Sequence, residues 1–102
     1  MNTNEHMEWT VTFTKRVLKQ VRELPAAVQD ALRRLLLDIR DTGPVRMGRP
    51  NLGKILGKPG CHHCHIQKGR PTFVVVWRVS GEQSVEVVYV GTHEGANYGR
   101  IC

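Results

Sequence analysis

Phe73-Val74-Val75-Val76-Trp77 is the stretch on which the fold turns. It has no polar face, and its run of valines favours extended backbone. A strand with apolar side chains on both faces belongs in the middle of a sheet. The strand continues to Val79, and turn residues bound it on both sides. Lys68-Gly69-Arg70-Pro71 precedes it and Ser80-Gly81-Glu82 follows. Further strands are therefore predicted at Cys61–Gln67 and Val85–Gly91, giving a three-stranded meander.

Towards the N-terminus, residues 1–7 are polar and expected to fray. Trp9, Val11 and Phe13 then alternate with Thr10, Thr12 and Thr14, the period of a half-buried strand. Val17, Leu18, Val21 and Leu24 fall at helical spacing, and Pro25 ends that helix. Val28, Ala31, Leu32, Leu35, Leu36 and Ile39 form the apolar stripe of a second helix, closed by Gly43-Pro44. Two helices around one proline make an antiparallel hairpin whose apolar faces need a sheet. The expected fold is α+β, in the order β-α-α-β-β-β. It is a small twisted antiparallel sheet with the helical hairpin on one face, in a single domain over 1–102.

Lys and Arg total 15 against 9 Asp and Glu, a net charge of +6 and a pI near 9.7. Such a balance draws polyanions at long range, and nucleic acid is the commonest of them. No basic amphipathic stretch suggests a membrane surface. No apolar run approaches the ~20 residues of a membrane span. No secretion-signal core follows Met1, so the cytoplasm is the expected location. Residues 43–60 read as a loop, with a short turn at Leu52–Leu56. The loop carries Arg46, Arg49, Lys54 and Lys58 and no acid. A long all-basic loop is uncommon in a compact domain unless it has a use.

Histidines supply the candidate chemistry. Strand alternation puts His63 and His65 on one face of the Cys61–Gln67 strand and His62 on the other. His93 follows the third strand of the meander. A strand histidine by itself is commonly surface or satisfied core. Here the cluster lies beside Lys68 and Arg70. One imidazole could take the proton from a ribose 2′-hydroxyl, another could protonate the leaving 5′-oxygen, and the cations could hold charge on phosphate. The ordinary imidazole pKa of ~6.5 suits both proton roles. Tyr98, after the turn at Gly91, could stack on a base or donate to phosphate.

Cys61-His62-His63-Cys64-His65 also invites a zinc reading. Its spacing is poor: Cys61 and Cys64 would face opposite sides of a strand, and no second ligand pair at finger spacing follows. With Cys102 the count is three. Without a secretion signal this argues against a disulfide framework, so Cys61 and Cys64 are expected to be small apolar fillers.

From Trp9 to Tyr98 the chain resembles the RelE/ParE superfamily of bacterial toxins from toxin–antitoxin pairs. The opening Trp9–Thr14 strand with its Lys-rich helix and the Leu24-Pro25 step before the second helix are similar to the family's start. Cys64-His65-Ile66, Phe73–Val79 and Val90-Gly91-Thr92-His93 followed by Tyr98 look like the YafQ-type branch. There a strand histidine and a Gly-Thr-His histidine serve catalysis, and His65 and His93 match them. Tyr98 sits near the place of a catalytic aromatic. Val74 stands where the family often has an arginine, leaving Arg70 or Arg78 to substitute. Thr72-Phe73 replaces an acid–aromatic pair.

The resemblance implies a RelE-like, ribosome-dependent mRNA endonuclease without metal or other cofactor, neutralised by a cognate antitoxin. The expected catalytic residues are His65, His93, Lys68, Arg70 and Tyr98. Lys54, Lys58, His63 and Arg78 are expected to bind RNA. The partners would be antitoxin, mRNA and ribosome, with no membrane and no small-molecule substrate. The same fold also hosts toxins that poison DNA gyrase by binding alone, and a degenerate toxin that only binds antitoxin and DNA is a further alternative.

Overall fold

The computed structural model describes residues 8–44, 52–54 and 60–102. The elements are β1 (Thr10–Phe13), α1 (Lys15–Arg22), α2 (Ala26–Thr42), β2 (Leu52–Lys54), β3 (Cys61–Gln67), β4 (Phe73–Gly81), β5 (Ser84–Thr92) and α3 (Tyr98–Ile101). They form one sheet in the order β1-β5-β4-β3-β2, with the α1–α2 hairpin on one face. The expected α+β arrangement is present, with one additional strand and one additional turn of helix.

The apolar run makes β4 the middle strand. Val74, Val75, Val76 and Trp77 are wholly buried. Phe73, Val75 and Trp77 pack against Val17, Val28, Leu32 and Ile39 of the helices. Val76 faces the other way, among Cys61, Tyr89 and Ile101. Both faces are therefore covered, one by the hairpin and the other by the chain's return through α3.

Side chains fix the hairpin at its ends. Thr14 Oγ1 accepts from the Val17 N–H at 3.2 Å and caps α1. Gln29 Nε2 donates to the carbonyls of Val21 and Leu24 at 2.9 and 3.2 Å, joining the end of α1 to the first turns of α2. Gly43 ends α2 with φ 93°, and a Cβ there would meet Trp9 Nε1 at 3.2 Å. Only glycine serves both the turn and the close approach of the indole.

Three features depart from the sequence reading. First, the sheet is mixed: β3, β4 and β5 are antiparallel, but β1 lies parallel to β5, Thr10 opposite Ser84. The meander leaves the outer edge of β5 open, and a strand from the far end of the chain fills it. Nothing local in Trp9–Thr14 encodes that partner or its direction. Second, the stretch read as loop and turn contains β2, antiparallel to β3 with Leu52 opposite Cys64. It supplies backbone partners to an edge that would otherwise be bare. Third, Cys61 and Cys102 form a disulfide, with Cα atoms 6.6 Å apart, while Cys64 stays free and buried. The turn after β5 carries Cys102 back over the sheet to Cys61, a contact that cysteine spacing does not reveal. No helix among the described residues is long and apolar enough to cross a membrane.

Candidate active site

The alternation of β3 sorts its side chains as expected. Cys64 joins the core under the helices, and His62, 8% exposed, lies on the same face with its ring 6.2 Å from that of Trp77. Cys61, His63 and His65 point to the opposite face. Cys61 and Cys64 thus lie on different sides of the sheet and cannot hold one ion together.

A single bulge brings His93 to the same face. Val85 and Val87 of β5 pack under the helices. Strict alternation from there would send residues 89, 91 and 93 to the helix side. The register between β4 and β5 slips, however: Trp77 pairs with Val87 and Val76 with Tyr89, leaving Val88 as the extra residue. The slip exchanges the faces, so Val90 enters the helix-side core and Tyr89 turns to the other side. Bulges commonly re-aim side chains in this way beside functional sites.

The outcome is a row of imidazoles. The His63 and His65 ring centroids are 5.6 Å apart, and those of His65 and His93 are 5.4 Å apart. Both contacts are edge-on. The His93 N–H donates to the Thr72 carbonyl at 2.7 Å. Thr72 Oγ1 accepts from the Gly69 N–H at 3.2 Å and donates to the Gly69 carbonyl at 3.0 Å. Thr72 therefore clamps the His93 segment to the turn that carries Lys68 and Arg70, both exposed. Sequence reading missed this positioning role, because a threonine in a turn carries no distinctive signal.

The electrostatics separate His65 from an ordinary surface histidine. Its Nε2 is buried with no hydrogen-bond partner among the described residues. An imidazolium needs acceptors or water for both of its N–H groups, so such a site disfavours the charged form. Burial accordingly pulls the His65 pKa below 6.5, and the neighbouring charges of His93 and Lys68 pull in the same direction. His65 should then titrate below 6.5 when followed by NMR of its ring. His93→Ala and Lys68→Ala should each raise the midpoint, and neither should restore it fully, because burial is the largest cause. A wild-type midpoint at or above 6.5 would contradict this account. The linkage has a definite sign. A histidine whose folded pKa is depressed binds protons more readily when unfolded, so stability drains away as pH falls below about 6.5.

The other expected residues are distributed more widely. Lys54 lies in β2, paired in register with His62. Lys58 and the side chains of Lys54 and Tyr98 lie outside the described residues, and Tyr98 opens α3. Arg78 is across the sheet from Cys61, and its guanidinium donates to Glu86 Oε1 at 2.6 and 3.0 Å. An arginine engaged in this way is a weaker RNA contact than its charge alone suggests. Lys68, whose charge acts on His65, and Arg70 are carried on one exposed turn, which Thr72 ties to the His93 segment.

A mixed sheet with a helical hairpin on one face is the architecture of the RelE fold. The chain is similar to a doubly substituted E. coli toxin RelE in the free state, with 25% identity, 88% of each chain covered and a TM-score of 0.70. It is similar also to the intact E. coli RelBE toxin–antitoxin complex, at 26% identity over 81% of this chain and 94% of that one, TM-score 0.64. An archaeal RelE–RelB complex from Pyrococcus horikoshii shares the fold at 16% identity, over 88% and 100% of the two chains, TM-score 0.69. No family sequence model and no curated protein matches the chain. The E. coli likenesses support a RelE-superfamily toxin.

Proposed function

We propose that this chain is the toxin of a toxin–antitoxin pair, and that it cuts mRNA on the ribosome without a metal. The observation that carries the reading is the approach of His65 and His93 to 5.4 Å, with the charge of Lys68 acting on His65 and Arg70 on the same turn as Lys68. A strand histidine paired with the histidine of Gly91-Thr92-His93 also favours the YafQ-like branch.

The chemistry follows from the two environments. Burial first, then the neighbouring His93 and Lys68, disfavour the protonated form of His65, so it is suited to accept the ribose 2′-hydroxyl proton. The freed oxygen attacks the neighbouring phosphorus, and the bond to the 5′-oxygen breaks. His93, exposed beside it, donates a proton to that leaving oxygen. Lys68 and Arg70 stabilise the additional negative charge on the phosphorane, and Tyr98 orients base or phosphate. The products are a 2′,3′-cyclic phosphate and a 5′-hydroxyl. Lys54, Lys58 and His63 are assigned to the RNA backbone, with Arg78 only if Glu86 releases it.

An antitoxin partner is part of the proposal, since two of the similar structures are complexes with RelB-type proteins. The hairpin offers it a seat: Phe13, Leu18, Val21, Leu32 and Leu36 line an open apolar groove, with Arg22 and Arg33 among its walls. An acidic amphipathic segment would match both features.

The test is cleavage of a defined mRNA by purified protein in EDTA, with and without programmed ribosomes. The expected result is cutting that requires ribosomes, leaves cyclic-phosphate ends and stops when the antitoxin is added. Intact 3′-hydroxyl ends, or activity that EDTA abolishes, would overturn the mechanism. No described feature favours gyrase binding over this reading.

A further inference from the structure

Beside the histidine face is a second, polar cavity of about 340 Å³ lined by Arg16, Tyr89, Gly95, Asn97, Arg100 and Ile101. Three elements converge there because β5 outruns its partner. The register with β1 ends at Val87, and beyond it the Val90 N–H donates to Gln20 Oε1 of α1 at 3.0 Å. That bond holds α1 along the edge of β5, and Arg16, one turn earlier, reaches the cavity. The turn after His93 brings Asn97 and Arg100 from the other side.

The lining has the chemistry of an anion site. Two guanidinium groups share it, and no Asp or Glu is among its described lining residues. Neither arginine is ion-paired among the described residues, in contrast to Arg33, Arg40 and Arg78. Asn97 stands at the N-cap of α3, but its side chain makes no capping bond. The first turn of α1 carries Lys15 and Arg16 and no acid. Cations at that end of a helix oppose its dipole, a cost that a bound anion would offset.

The walls are fixed and adjacent to the proposed chemistry. Tyr89 OH donates to the Thr92 carbonyl at 2.8 Å, and the Gly95 N–H reaches Thr92 Oγ1 at 3.1 Å. A Cβ on Gly95 would come within 2.9 Å of Thr92 Oγ1 and 3.1 Å of Tyr89 OH. The Ala96 N–H donates to the His93 carbonyl at 3.2 Å, so the turn that forms the cavity also sets the His93 backbone.

We propose that Arg16, Arg100 and Asn97 form a phosphate pocket that holds an RNA backbone phosphate flanking the one cut between His65 and His93. The assignment to RNA rests on the nuclease reading; the affinity for phosphate does not. The pocket positions the strand and takes no part in proton transfer. Its loss should therefore appear in KM and leave kcat in place.

The experiment has two arms. In the first, inorganic phosphate is titrated into the full chain and backbone amides are followed by NMR. Saturable shifts at Gly95 and Asn97 that vanish in Arg16→Ala and Arg100→Ala are expected. Shifts confined to Lys68 and Arg70 would overturn the pocket. In the second arm, cleavage kinetics are compared for the same variants, for Arg100→Lys and for wild type. KM should rise about tenfold or more in the alanine variants with kcat little changed, and Arg100→Lys should recover part of the loss. Equal KM values in all four proteins would overturn the RNA assignment. Both arginines are exposed, so these variants should fold. Phosphate binding without RNA cleavage would leave the pocket standing and remove the nuclease reading instead.

Discussion

His65→Ala and His93→Ala should each slow single-turnover cleavage by about 10²–10⁴-fold, the usual worth of a positioned acid or base. The double variant should be little worse than either single one, because the two groups act on one proton path and lose their value together. The row of imidazoles supplies internal controls. His63 is 5.6 Å from His65, on the same face, and is assigned to RNA. His63→Ala should raise KM more than it lowers kcat. His62 lies on the helix side against Trp77, so His62→Phe should alter melting and leave the cleavage step alone. Wild-type rates in either His65→Ala or His93→Ala would end the acid–base assignment. A loss in His62→Phe equal to that in His65→Ala would show that the assay reports folding.

The pH dependence separates the two roles further. If His65 is the base, the acid limb of the single-turnover rate lies below pH 6.5, because burial, then His93, then Lys68 depress its pKa. Lys68→Ala should move that limb towards higher pH even as it weakens transition-state stabilisation. A lysine that acted only on phosphate would lower the rate and leave the limb in place.

How much of this the sequence could tell follows from which contacts are local. Phe73–Trp77 announced a central strand because burial on both faces needs nothing beyond the strand's own residues. The same logic placed His63 with His65 and His62 opposite them, since alternation is a property of one strand. It also bounded the helices at Pro25 and Gly43, where backbone chemistry alone decides. The parallel pairing of β1 with β5 and the short β2 were hidden, because both depend on which sheet edge is vacant after the meander forms. His93 is the instructive case. Its residue type and its Gly-Thr-His setting marked it as a candidate, but its meeting with His65 depends on the extra residue Val88. A bulge of this kind leaves no pattern in a run such as Val87-Val88-Tyr89-Val90, where every residue tolerates either face. The phosphate pocket was hidden for a related reason, since Arg16 and Arg100 come from opposite ends of the chain.

Opening the Cys61–Cys102 bond should cost this small domain a large share of its stability. The bond closes a loop across a sequence separation of 41, which in the chain-entropy account is worth about 4 kcal/mol. For a chain of this length the melting temperature should fall by more than about 10 °C. Cys102→Ser and wild type in excess dithiol reductant should fall together, and reductant should have no further effect on Cys102→Ser. Cys64 cannot take over, because it is buried on the opposite face of the sheet. The consequence should reach beyond stability. Ile101 and Cys102 pack over Val76 beside Tyr89, and Arg100, one residue before Ile101, is a wall of the phosphate pocket. Reduction should therefore raise KM for RNA in wild type and leave Arg100→Ala, whose pocket is already broken, nearly unchanged. Whether such a bond persists depends on the redox poise around the chain, so the open and clamped forms are the two states to compare. Equal melting with and without reductant would mean that packing of Ile101 on Val76, and not the bond, holds α3 in place.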